Sequence, residues 1–187
     1  MHTSEWRVFR LSWPETANVV HASVLAGATE TRYMRTGTGR PVLLLLDDPE
    51  AGGVGRALVE ALRPGFRVLV PEAVVAADGD GPAFSAWMRA FLDGLGASPV
   101  SVVARGACAV AALCFALCEP ERVDRLVLLY TDVPDAATPD HAVADRLDGA
   151  GLPLLVIHED VAGVDGSTDE STARVADAVA RFLQASA

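Results

Sequence analysis

Residues Pro41-Val42-Leu43-Leu44-Leu45-Leu46 form an unbroken apolar run, entered by Gly37-Thr38-Gly39 and closed by Asp47-Asp48-Pro49. A strand with one wet face would alternate; a short continuous run between turn residues predicts a strand covered on both sides. That one segment demands helices above and below a sheet, and the rest of the chain supplies them. Arg56–Leu62 reads as a short helix and Phe66–Val70 as a second buried strand ending at Pro71-Glu72. Phe84, Trp87, Met88, Phe91, Leu92 and Leu95 fall at i, i+3, i+4, i+7, i+8 and i+11, the stripe of an amphipathic helix. A strand over Val100–Ala104, a helix over Ala107–Cys118 and a strand over Leu126–Tyr130 follow. A polar helix opens at Pro139 and closes at Gly149, ahead of a strand over Leu152–Ile157. Val175, Val179, Phe182 and Leu183 mark one face of the last helix, with Ser167 and Glu170 spaced as a capping box.

Strands that alternate with helices predict an α/β fold with a mostly parallel sheet. Trp6–Leu11, Val19–Leu25 and Thr31–Arg35 alternate loosely and are expected to add an antiparallel edge. At 187 residues, with no repeat or long linker, the expectation is one domain over residues 1–187. The apolar run is far shorter than the roughly 20 residues a bilayer requires, and Met1–Arg10 has no apolar signal core. Three cysteines within Cys108–Cys118 suit one helix rather than a disulfide framework, so a cytoplasmic location is expected. A formal charge of -10 argues against a nucleic-acid partner, since a phosphate-binding face needs clustered Lys or Arg. No metal or cofactor motif is expected: Cys114 and Cys118 stand at i, i+4, but a metal needs two further ligands, and core packing is the expected role of both.

Several segments resemble the α/β-hydrolase superfamily. Gly27–Leu46 is similar to its opening hairpin and third strand, and Leu92–Val103 to the helix and strand that lead to its nucleophile. Pro120–Leu129 is similar to the segment after the nucleophile helix, and Leu152–His158 to the strand before the acid residue. The resemblance spans roughly residues 20–187, without gaps from Leu92 to Leu129. It implies an α/β-hydrolase-like sheet whose cap is missing or reduced to one helix within about 131–151, and a last strand shortened or absent.

The family's signature is G-x-S-x-G at a sharp strand-to-helix corner. Here Ala104-Arg105-Gly106-Ala107-Cys108 takes that place, with Gly106 at the nucleophile position. Asp47-Asp48 stands where the family has a His-Gly pair serving the oxyanion hole, and two carboxylates there would repel an oxyanion. No histidine occurs between Glu159 and Ala187, where the catalytic one is expected, so Glu159 or Asp160 as the acid would orient nothing.

Asp47, Asp48, Glu72, Arg105, Asp132 and His158 each fall at the carboxyl end of a strand and are the candidate site residues. Arg105 among carboxylates would lower some of their pKa values while crowding raises others, one route to an acid/base pair. The plainer explanation is that strand ends are polar because loops are solvated. Cys108 is a substitute thiol only if the register slides by two residues, and it reads more simply as a buried core cysteine. His141 reads as a surface helix residue, and His2 and His21 carry no signal. Three functions remain open. The first is a cofactor-free lyase, isomerase or cyclase acting on a small organic molecule. The second is an inactive binding or assembly protein, with a second copy or a partner enzyme covering the strand ends. The third is a hydrolase using Cys108.

Overall fold

The computed structural model describes residues 19–46, 53–72, 81–131, 141–159 and 168–185. Trp6–Leu11, Ser167 and the aspartates at 47, 48, 132 and 160 lie outside the described residues. Seven strands form one sheet in the order β1-β2-β4-β3-β5-β6-β7. The hairpin of β1 (Val20–Ala26) and β2 (Thr29–Thr36) is antiparallel, and β2 also runs antiparallel to β4 (Phe66–Pro71). β3 (Arg40–Leu45), β4, β5 (Val100–Arg105), β6 (Val123–Thr131) and β7 (Leu154–Glu159) are parallel. The antiparallel edge read from the sequence is therefore present, and among the described residues no strand follows β7.

Two hydrophobic layers separate along the alternation of each strand. Leu43 and Leu45 join the layer built with α2 (Gly81–Leu95), α3 (Ala107–Cys118) and α4 (His141–Gly149). Val42, Leu44 and Leu46 join the layer under α1 (Val54–Leu62) and α5 (Thr168–Gln184). All five are buried, as the apolar run requires. Each buried leucine is worth about 1.5–3 kcal/mol relative to exposure, so the run strongly favours this position in the sheet.

Several boundaries differ from the sequence reading by one to three residues, and two have clear local reasons. β6 begins at Val123, three residues early, because Val123 pairs with Val100 and Arg125 is buried despite its charge. β7 begins at Leu154 because the Leu152 amide closes the end of α4 onto the Leu147 carbonyl and Pro153 has no amide to donate.

At the amino end of the parallel strands, arginines hold the last turn of α5. Arg125 Nη2 donates to the Ala185 carbonyl at 2.6 Å, and the guanidinium lies 5.7 Å from the Phe182 ring centroid. Arg40 Nη2 donates to the Leu183 carbonyl at 3.2 Å. Cations here satisfy orphan carbonyls and oppose the negative end of the helix dipole. Arg125→Ala is expected to cost about 2–3 kcal/mol, from its charged hydrogen bonds to the Ala185 and Phe182 carbonyls and the lost ring contact. A denaturant midpoint within error of the parent would refute that role.

Candidate functional site

The parallel strands bring the ends of β3, β4, β5, β6 and β7 to one edge of the sheet, where open α/β sheets hold ligands. At its centre β5 passes into α3 through a single residue, Gly106, with φ 61° and ψ -131°. A residue with a β-carbon would be strained there by about 1–3 kcal/mol, and glycine is not. The corner is fastened on both sides: the Gly106 amide donates to the Leu129 carbonyl at 3.1 Å, and its carbonyl accepts from the Ala109 amide at 3.0 Å. No side chain caps α3, so the positive end of its dipole opens at the corner.

The described candidates do not converge. Alternation along β5 assigns Arg105 to the α1/α5 face with Val103, and its register partner Leu129 lies in that same layer. His158 aligns with Tyr130, whose ring belongs to the opposite layer. Glu72 lies two strands from β5, roughly 10 Å at the usual strand spacing. Its carboxylate meets His21 Nδ1 at 3.2 Å, and its amide donates to the Arg32 carbonyl, so Glu72 is engaged with the β1–β2 edge. His21, which carried no signal in the sequence, is thus the partner of a candidate acid. Asp47, Asp48 and Asp132 lie outside the described residues. His141 opens α4 and Glu159 ends β7, and the side chains of both are likewise outside them.

Cys108 is the second residue of α3, not the corner residue, and is 4% exposed within the α2/α3 layer. That is the packing thiol favoured by the sequence. Among the described residues, no group of three or more His, Cys, Asp or Glu side chains sits close enough to hold a metal ion.

Tyr130 was not singled out from the sequence. It is 2% exposed, and its hydroxyl has no hydrogen-bond partner among the described residues. Its ring stacks on that of His158, centroids 5.8 Å apart and planes at 26°. Burial, and secondarily the Cys114 thiol, raises the Tyr130 pKa above that of an ordinary phenol, so it stays a proton donor at neutral pH. The available signal was a lone hydroxyl closing the apolar strand Leu126–Tyr130. The described part of this edge therefore offers an electropositive helix end, a stacked Tyr–His pair and a corner with no side chain.

No protein-family model matches the chain, and no curated protein sequence matches it. Solved structures do. An epoxide hydrolase variant of Vigna radiata aligns with a TM-score of 0.53 and 25% identity, over 63% of this chain and 39% of that one. Cfl2 of Burkholderia cenocepacia aligns at 0.56 and 22%, over 74% and 51%. ALR0039 of Nostoc sp PCC 7120, provisionally assigned as an alpha/beta hydrolase, aligns at 0.54 and 21%, over 68% and 49%. The chain spans between two fifths and about half the length of these three proteins. No described helix is long and apolar enough to cross a membrane.

Proposed function

This chain has the α/β-hydrolase fold, and from that premise we propose that it is a triad-less member acting without hydrolysis: a cofactor-free lyase, isomerase or cyclase for a small organic molecule. One observation carries the reading. Gly106 keeps the sharp corner, at φ 61° and ψ -131°, while offering no hydroxyl, thiol or carboxylate to attack with. The missing histidine between Glu159 and Ala187 adds to it. In this reading a ligand carbonyl lies at the amino end of α3, where amide dipoles stabilise negative charge that develops on its oxygen. A carboxylate at 47, 48 or 132 removes a proton from the neighbouring carbon and returns it to the product. The reaction then needs no covalent intermediate.

A second reading is a binding or assembly protein without turnover. The separation of Arg105 and His158 onto opposite faces favours it. A hydrolase using Cys108 ranks last, because the thiol is buried off the corner.

The deciding assay pairs p-nitrophenyl and thioester substrates with two variants. The expected result is no turnover above the uncatalysed rate, unchanged in Cys108→Ala and not gained in Gly106→Ser, which lacks a histidine to activate it. Ester hydrolysis that Cys108→Ala abolishes would overturn the proposal. Between the first two readings, a ligand that raises the melting temperature and is recovered chemically unchanged favours binding; one recovered as an isomer, cyclised product or fragments favours the enzyme.

A further inference from the structure

α3 is apolar on every side: its twelve residues are Ala, Val, Leu, Phe and Cys throughout. Helices of that kind normally lie buried all round. Yet Ala107, Val110, Cys114 and Cys118 are exposed, Val110 by 42%, so the two thiols are not the core residues that the sequence suggested. They stand at i, i+3, i+7 and i+11, one stripe along a helix about 18 Å long at 1.5 Å per residue. No charge interrupts the stripe, although the chain as a whole carries -10.

Cys114 and Cys118 share that stripe one turn apart, with β-carbons about 5–6 Å from each other at i, i+4. Thiolates so spaced can grip one soft cation as two of the four sulfurs of a tetrahedral site. Among the described residues, a single chain brings no third His, Cys, Asp or Glu to them. A two-fold axis does: two thiolates from each of two copies make four.

We propose that two copies of this chain meet across the exposed face of α3, and that Cys114 and Cys118 of both together hold one soft divalent cation of the zinc class. The thiol count selects the occupant, since each copy brings two of the four sulfurs that a tetrahedral site needs. Two acidic chains repel across most of their surfaces but not across an uncharged stripe, and an isologous contact sets the thiol pair against itself. Binding releases four thiol protons to solvent, and four thiolates with one dication leave a net charge of about -2. Val110 and Ala107 lose their contact with water in the same step. The proposal does not rest on the reading above: it concerns the exposed thiols of α3 and holds whether the strand ends are catalytic or not.

The test uses the full chain, reduced and stripped with a chelator, then titrated with Zn2+ or Cd2+ while light scattering reports mass. The expected result is a doubling of mass complete at one cation per two chains, with thiolate-to-cadmium charge-transfer absorption. The double variant Cys114→Ser, Cys118→Ser changes only exposed positions and keeps the fold. It is expected to remain monomeric and to show no such absorption. Val110→Arg, which leaves every thiol in place, is expected to weaken cation binding at least tenfold by opposing two like charges across the axis. One cation per chain without a change in mass, dimerisation equally strong in the serine double variant, or no thiolate absorption would each overturn the proposal.

Discussion

Gly37→Ala is expected to lower stability by about 3–5 kcal/mol, enough to leave a marginally stable domain substantially unfolded at physiological temperature. Two costs add. Gly37 has φ 72°, a left-handed conformation that costs an alanine about 1–2 kcal/mol. A β-carbon built there would also sit 2.2 Å from the Phe66 carbonyl oxygen and 2.5 Å from that of Arg63. Both obstacles are backbone atoms, so relief requires moving the turn between α1 and β4 away from the turn between β2 and β3. Gly96→Ala separates the two costs: Gly96 has φ 58°, but nothing lies within 4 Å of an added β-carbon. Its expected loss is the conformational part alone, about 1–2 kcal/mol. Equal losses in the two variants, measured by urea unfolding, would refute the close approach at Gly37.

Phe91→Ala is the second large effect, again about 3–5 kcal/mol, the usual range for emptying a buried aromatic site. Phe91 is fully buried at the centre of the α2 stripe. Its ring stacks on Trp87 at 5.3 Å between centroids and meets Tyr33 of β2 edge-on at 5.7 Å. Trp87 Nε1 in turn donates to Thr31 Oγ1 at 3.1 Å, a second tie from α2 to the hairpin. Removing the ring therefore loosens the joint between the antiparallel edge and the helix that covers it. Phe91→Leu, which keeps most of the volume, is expected to lose under about 2 kcal/mol. If Phe91→Ala lowers the urea midpoint no more than Phe91→Leu does, the ring cluster is not the joint described here.

The contrast between these sites shows how far sequence reasoning reaches. The α2 stripe from Phe84 to Leu95 was legible because helical periodicity is local, and the observed helix, Gly81–Leu95, contains all of it. α3 was legible over its full length, Ala107–Cys118, because a glycine precedes it and apolar residues fill it. The corner at Gly106 was implied by the resemblance to the α/β-hydrolase superfamily, and the left-handed φ agrees. Gly37-Thr38-Gly39 was readable as a turn, but the carbonyls of Phe66 and Arg63 against it were not, since they arrive from another part of the chain.

The candidate site was less legible. Listing polar residues at strand ends requires only that the strands be found. Deciding which of them share a face requires the register, and Arg105 and His158 part company only once Leu129 and Tyr130 are set beside them. Arg125 stands just before the strand read over Leu126–Tyr130 and is buried because the last turn of α5 ends over it.

Patterns with periods of two and 3.6 residues, together with glycine and proline punctuation, thus determined the α/β architecture and the buried strands from sequence alone, while the corner at Gly106 was implied by the resemblance. Those signals arise from each residue's immediate neighbours along the chain. Tertiary structure alone decided that Glu72 meets His21, that the Tyr130 hydroxyl has no partner among the described residues, and that the stripe carrying Cys114 and Cys118 faces outward. Pairings across distant segments depend on register and on which helix covers which face, and no local pattern encodes those.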